Sequence, residues 1–130
     1  MALKNRLPER MFTELLPAGE QYLIGVRALS VGGVRAFAWG GGAVSQAGLL
    51  ATSRQLLLCG LDKLGRPNEV LAAMPYSDIV AVNVTRTKVA FSAIGVAELV
   101  FPDGSNFQFE STASTVDEFA DLVRPRLGPH

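Results

Sequence analysis

The amino-acid sequence predicts a mainly β structure: about seven short antiparallel strands in a sandwich or partly open barrel, closed by a C-terminal helix. Short apolar runs recur from Gln21 to Glu110, and turn residues rather than helical patterns separate them. Strands at this close spacing exclude the alternating strands and helices of a parallel sheet. The length of 130 residues suits one domain with a core of its own.

The clearest single element is a hairpin over residues 100–110, with the sequence VFPDGSNFQFE. Its Pro-Asp-Gly segment, 102–104, favours a type I turn followed by a left-handed glycine. On the return strand Phe107 and Phe109 alternate with polar residues, which predicts one buried face and one face in water. We expect both rings to be buried together with Phe119.

A helix is predicted to close the structure between Thr115 and Val123. Thr115 and Glu118 have the spacing of a capping box, in which each side chain bonds a backbone N–H of the other residue. The helix also carries an apolar stripe on one face, formed by Val116, Phe119, Ala120 and Val123. We expect this stripe to pack on the strands.

A second helix is predicted ahead of the strands, over residues 8–16. Pro8 suits a first helical turn, and Leu7, Met11 and Leu15 repeat at a spacing of four residues. A helix of roughly nine residues is unstable alone in water, so it must dock on its own barrel or on a neighbouring molecule. A neighbour is favoured, because the chain is unusually apolar.

Composition limits the class of partner. Twelve basic and twelve acidic residues cancel, so no net field favours nucleic acid. Apolar residues make up 48% of the chain, which fits either a well-filled core or an apolar surface that meets another chain. A single cysteine and the lack of a signal-peptide pattern predict a cytoplasmic protein. No apolar run reaches the roughly 20 residues of a membrane-spanning helix.

The sequence shows no constellation typical of catalysis, so we predict no enzyme, no cofactor and no metal site. The single histidine is the last residue, His130, which does not suit a base held within the fold. Cys59 lies in the apolar run QLLLCGL and is expected to be a buried packing residue with a raised pKa. The glycines at 40–42 lack the pattern of a nucleotide-binding loop and are better interpreted as a hairpin tip.

The order of these elements resembles the bacterial pleckstrin-homology-like (PH-like) domain family. Five segments carry the resemblance, in chain order LLPAGE, LLATSRQLLLCG, MPYSDIVAVNV, VFPDGSNFQFE and TVDEFADLV. The likeness runs from about Pro17 to Leu127. It implies a curved, partly open antiparallel barrel with a C-terminal capping helix, here with an extra N-terminal helix. The chain is accordingly divided into an N-terminal helix, 1–16, and a PH-like domain, 17–130.

The resemblance implies binding rather than catalysis, since bacterial relatives look like modules for protein contact or self-assembly. The leading prediction is therefore a non-enzymatic interaction module that binds a protein partner or forms a homo-oligomer. Leu7, Met11 and Leu15 are its candidate contact residues.

The alternative is a domain that binds a lipid headgroup or a small apolar ligand through the region 30–44, which is compatible with peripheral membrane contact. Eukaryotic members of the family often bind phosphoinositides through basic residues in the loop after the first strand. Here that loop offers Arg35 alone, which argues against an inositol phosphate. Arg27 and Trp39 complete the candidate residues for this second kind of site.

Overall fold

The computed structural model describes residues 5–32, 44–89 and 92–127. Seven strands lie in these ranges: β1 Tyr22–Gly32, β2 Val44–Thr52, β3 Gln55–Leu61, β4 Pro67–Pro75, β5 Ala81–Val89, β6 Ser92–Val100 and β7 Asn106–Thr112. The helix α1, Ala113–Val123, follows directly on β7. The strands form one antiparallel sheet in the order β4-β3-β2-β1-β7-β6-β5. The predicted mainly β fold with a C-terminal capping helix is confirmed.

The sheet bends between β1 and β7. Among the described residues, these strands pair at Leu29 with Glu110 and at Gly32 with Gln108, with a register shift between the two pairs. The halves on either side of this junction contribute to one core, which includes Val26 of β1, side chains of β2 and β3, and the apolar faces of β6 and β7. The single sheet therefore curves around its own interior, and α1 packs against it.

The late hairpin forms as predicted. Gly104 has a positive φ of 87°, and its N–H donates to the carbonyl of Phe101 at 2.9 Å. Phe107 and Phe109 are both fully buried. The ring of Phe109 meets that of Phe119 edge to face, with a centroid distance of 5.2 Å and an interplanar angle of 88°. The alternation along β7 and the stripe along α1 thus identify the same core.

The predicted capping box of α1 is wrong. The helix begins at Ala113 with Thr112 as N-cap, and no side chain caps it. Because β7 runs into the helix without a loop, Thr115 lies inside the first turn and is buried. Its Oγ1 has no hydrogen-bond partner, and Glu118 forms an ion pair with Arg6 instead of closing a cap.

The predicted N-terminal helix over 8–16 is also wrong, because the described residues there contain only a 3-10 turn, Glu9–Phe12. Residues before the turn are extended and bridge β1: the Leu7 N–H donates to Gly25 at 2.8 Å, and the Arg27 N–H donates to Asn5 at 2.7 Å. These backbone hydrogen bonds keep the chain extended until the 3-10 turn begins. Contacts with the sheet, and not the helical spacing of the apolar residues, therefore determine the conformation of this segment.

Candidate interaction surface

The candidate contact residues Leu7, Met11 and Leu15 lie against the chain's own sheet. Leu7 is 2% exposed and Phe12 is fully buried, and both belong to a cluster with Leu50, Leu57 and Cys59. Met11 and Leu15 are partly buried and pack on the same cluster. We call residues 5–16 the N-terminal segment. It covers the outer face of β1, β2 and β3, the face directed away from the main core.

The N-terminal segment fits closely over Gly25. A Cβ at this position would lie 2.4 Å from Cε2 of Phe12 and 2.5 Å from the carbonyl oxygen of Leu7. The hydroxyl of Tyr22 donates to that same carbonyl at 2.6 Å and accepts the N–H of Gly25 at 2.9 Å. The absence of a side chain at Gly25 therefore permits this approach.

Cys59 lies beneath the N-terminal segment and is fully buried. Burial raises the pKa of its thiol to about 12, because the thiolate would lose its hydration. A thiol with this pKa is protonated at neutral pH and is a poor nucleophile. The expectation that Cys59 packs in the interior is confirmed.

Arg27 lies on the same outer face, beside the turn between β3 and β4. Its Nη2 donates to the carbonyl of Gly65 at 3.3 Å, while its buried Nε has no hydrogen-bond partner. Arg27 and Lys63 both line a cavity of about 410 Å³. The other two candidates for a headgroup site, Arg35 and Trp39, lie outside the described residues, as does most of the region 30–44.

The structure brings forward three residues that were not singled out from the sequence. Within the described ranges, the large apolar side chains that remain exposed are Leu64 at 73%, Val70 at 42% and Leu71 at 44%. We call these three residues the hairpin patch, since all belong to the turn after β3 or to β4. The run EVLAA at 69–73 does indicate exposed apolar side chains in the sequence. It lacks the alternation of apolar and polar residues that is typical of a strand with one face in water.

The turn that carries Leu64 is held firmly in place. Oδ1 of Asp62 accepts the N–H groups of Leu64 and Arg66, each at 2.9 Å, and Gly65 takes a positive φ of 78°. The N–H of Arg66, together with the N–H of Leu64 and the guanidinium, lowers the pKa of Asp62. The carboxylate is therefore ionised near neutral pH, and the turn presents Leu64 outward in a fixed conformation.

β4 is one edge of the sheet, and its ladder is irregular. The pairing with β3 shifts register twice, which leaves Asn68 and Leu71 without a partner in β3. Pro67 and Pro75, at the two ends of the strand, have no N–H to donate. Bulges and prolines are devices that discourage a further strand from pairing with an edge. The edge therefore offers side chains to a partner more readily than backbone hydrogen bonds.

In the ranges that the structure describes, no three side chains of His, Cys, Asp or Glu group closely enough to hold a metal ion. No helix in those same ranges is long and apolar enough to cross a membrane.

The strand order, the curvature and the capping helix together define a PH-like fold. Among solved structures, the Vps36 N-terminal PH domain is similar, with a TM-score of 0.57 and 16% sequence identity. The likeness covers 86% of this chain and 82% of that one. At 16% sequence identity, this similarity shows a shared fold and carries no statement about function. No protein-family model matches the chain, and neither does any curated protein.

Proposed function

We propose that this chain is a non-enzymatic interaction module that contacts a protein, either a second copy or a different chain. The observation that carries the proposal is the hairpin patch: the exposed large apolar side chains of the described residues, Leu64, Val70 and Leu71, all lie on one hairpin. Clustered apolar surface marks sites of protein contact, whereas isolated exposed apolar residues are ordinary. PH-like folds are typically non-catalytic binding modules, which supports the same function.

The surroundings of the hairpin patch suit such a contact. Asp62 fixes the turn, and β4 is anchored through Met74, which is buried in the main core. A preorganised surface loses little conformational freedom when a partner binds. The N-terminal segment is the weaker candidate surface, because Leu7 is already buried on the sheet and Met11 and Leu15 are partly covered.

Affinity capture of the tagged full chain from the cells that make it, followed by mass spectrometry, tests the proposal. We expect at least one protein to be retained by the wild type and lost with the double variant Val70→Ser, Leu71→Ser. The matched control is Ala73→Ser, on the exposed side of the same strand. Two results contradict a contact through this patch. In the first, the wild type, the double variant and the control all retain the same proteins; in the second, the wild type retains no protein.

A second candidate function is the binding of a lipid headgroup near the region 30–44. It is favoured by one observation: the buried Nε of Arg27 has no partner, and Lys63 lines the same cavity. Guanidinium groups suit phosphate oxygens because they offer several donors in a plane. Arg35 and Trp39, which lie outside the described residues, are the other candidate residues for this function.

Vesicle sedimentation separates this candidate from protein contact. If a headgroup binds here, vesicles containing phosphatidic acid retain the wild type more than pure phosphatidylcholine vesicles do, and Arg27→Gln abolishes the difference. Arg54→Gln is the control, because Arg54 is an exposed cation in the turn between β2 and β3. Equal retention on both kinds of vesicle removes the headgroup function.

A further inference from the structure

We infer that the free edge of β5 binds an extended segment of a partner protein, which pairs with β5 as an additional strand. This surface is separate from the hairpin patch, because β4 and β5 lie at opposite ends of the strand order. β5 pairs with β6 on one side and, among the described residues, with no strand on the other. The backbone groups on that free side determine the kind of ligand, because an extended chain offers donors and acceptors at matching intervals.

Two hydrogen bonds show which residues of β5 direct their backbone groups to the free edge. Arg124, which follows α1, donates from Nε and Nη2 to the carbonyl of Val82, at 3.1 and 2.8 Å. This carbonyl therefore lies on the side away from β6. Because backbone groups alternate in direction along a strand, Val84 and Arg86 also present their N–H and carbonyl groups to the free edge, while the intervening residues bond to β6.

The free edge of β5 lacks the features that protect β4. β5 pairs with β6 at every position from Ala81 to Val89 without a register shift, and it contains no proline. Charged side chains also discourage edge pairing, but Arg86 forms an ion pair with Asp117 of α1, which offsets its charge. Lys88 is the second cation of the strand and favours an acidic residue on the incoming segment. The edge is therefore regular enough to accept another strand.

The helix α1 provides a wall beside this edge. A cavity of about 380 Å³ lies between α1 and β5, and its lining includes Val84 of the strand and Ala120 of the helix. Alternate side chains of an incoming strand point towards this cavity. Two arginines and two aspartates also line it, so the cavity selects side chains by size more than by charge. Backbone hydrogen bonds then provide the affinity, and the cavity provides the preference for a sequence.

Amide hydrogen exchange of the full chain tests the free edge without a partner. We expect the N–H groups of Val84 and Arg86 to exchange rapidly. Those of Asn83 and Thr85 should be protected, because they bond to β6. Protection of the outward groups at every concentration would show that the rest of the chain covers the edge, and protection that grows with concentration would place a second copy there. Either result overturns the inference.

Random peptides displayed on phage and selected on the full chain provide the probe for binding. We expect selected peptides to slow the exchange of the Val84 and Arg86 N–H groups. Arg86→Pro removes an outward N–H that the sheet does not use, and it should weaken peptide binding about tenfold, the effect of one backbone hydrogen bond. Arg86→Ala is the matched control. It keeps the N–H and loses an ion pair of a side chain that is 65% exposed, so its affinity should stay within about twofold of the wild type.

Circular dichroism checks that both variants are folded, and the exchange experiment on the wild type stands even if Arg86→Pro is not. Equal binding by Arg86→Pro and Arg86→Ala overturns the inference, as does a selection that yields no peptide. Selected peptides that respond to the double variant Val70→Ser, Leu71→Ser but not to Arg86→Pro bind the hairpin patch. In that case the inference fails and the proposed function stands.

Discussion

Gly25 lies under the N-terminal segment, where a side chain has no room. A Cβ at this position would approach the backbone carbonyl of Leu7 to 2.5 Å, and neither that carbonyl nor the ring of Phe12 can move without breaking a contact with the sheet. Both neighbours are buried. The stability of the segment on the sheet therefore depends on the absence of one methyl group.

Gly25→Ala should lower the free energy of unfolding by about 1–3 kcal/mol, the usual cost of overpacking a closed site. Urea denaturation measures it. Gly60→Ala is the matched control, since its Cβ would meet the flexible side chain of Glu69 at 3.3 Å. If the two variants are equally stable, the close fit over Gly25 is wrong.

Cys59 gives the fold a dependence on alkaline pH. Burial raises the pKa of its thiol from 9.0 to about 12, so the folded chain keeps a proton that the unfolded chain releases above pH 9. Its contribution to stability is complete below pH 9 and falls as the pH rises towards 12. The stability advantage of the wild type over Cys59→Ala should therefore shrink between pH 8 and pH 11. A constant difference in denaturant midpoint contradicts the burial of an un-ionised thiol.

Among the elements, the N-terminal segment departs most from its sequence pattern. The spacing of Leu7, Met11 and Leu15 predicts a helix, yet the buried anchors are Leu7 and Phe12. The sequence carries no local signal for the backbone bonds to Gly25 and Arg27, which arise between residues far apart along the chain. Helical spacing in a short segment is a weak guide when an exposed sheet face offers stronger contacts.

Phe12→Ala should open the cover over Cys59. Loss of a buried phenylalanine costs about 3 kcal/mol or more, which corresponds to roughly a hundredfold increase in thiol labelling through local opening. Met11→Ala is the control, because Met11 is adjacent but only partly buried. The labelling rate of Cys59 with a thiol reagent reports the result. Equal rates in the two variants would show that the segment does not protect the thiol.

The late hairpin and α1 were predictable because their patterns are local. Alternation placed Phe107 and Phe109 in the core, and the apolar stripe placed Phe119 opposite them. The predicted N-cap was wrong by three residues, Thr115 instead of Thr112, because Thr115 has the features of a cap but a buried position in the first turn. Cap residues predict a boundary only where a loop leads into the helix.

Phe109→Ala tests the contact between β7 and α1. Removing the ring should lower the free energy of unfolding by about 3–5 kcal/mol, because it leaves a cavity beside Phe119. Gln108→Ala, at the exposed neighbouring position, is the control. Denaturant titration gives both values, and a loss below about 1 kcal/mol for Phe109→Ala would place the ring outside the core.

For the whole molecule, strand number, antiparallel pairing and the PH-like order of elements could be predicted from the sequence. The candidate surface could be predicted only in part: the run EVLAA lacks the polar alternation of a strand with one wet face, but Leu64 lies in a segment whose composition, DKLGRPN, is that of an ordinary polar turn. The exposure of Val70 and Leu71 follows from the position of β4 at the edge of the sheet. Which strand is an edge depends on the pairing order, and apolar runs do not encode that order directly.

The most direct measurement is a dilution series followed by amide chemical shifts of the full chain in nuclear magnetic resonance. Contact between two copies through the hairpin patch predicts shifts that depend on concentration at Lys63, Leu64 and residues 69–71, with little change in the N-terminal segment. Concentration-dependent shifts confined to residues 9–16 would show that the copies meet through Met11 and Leu15 of the N-terminal segment instead. No response in the wild type at any concentration would contradict self-association through the hairpin patch.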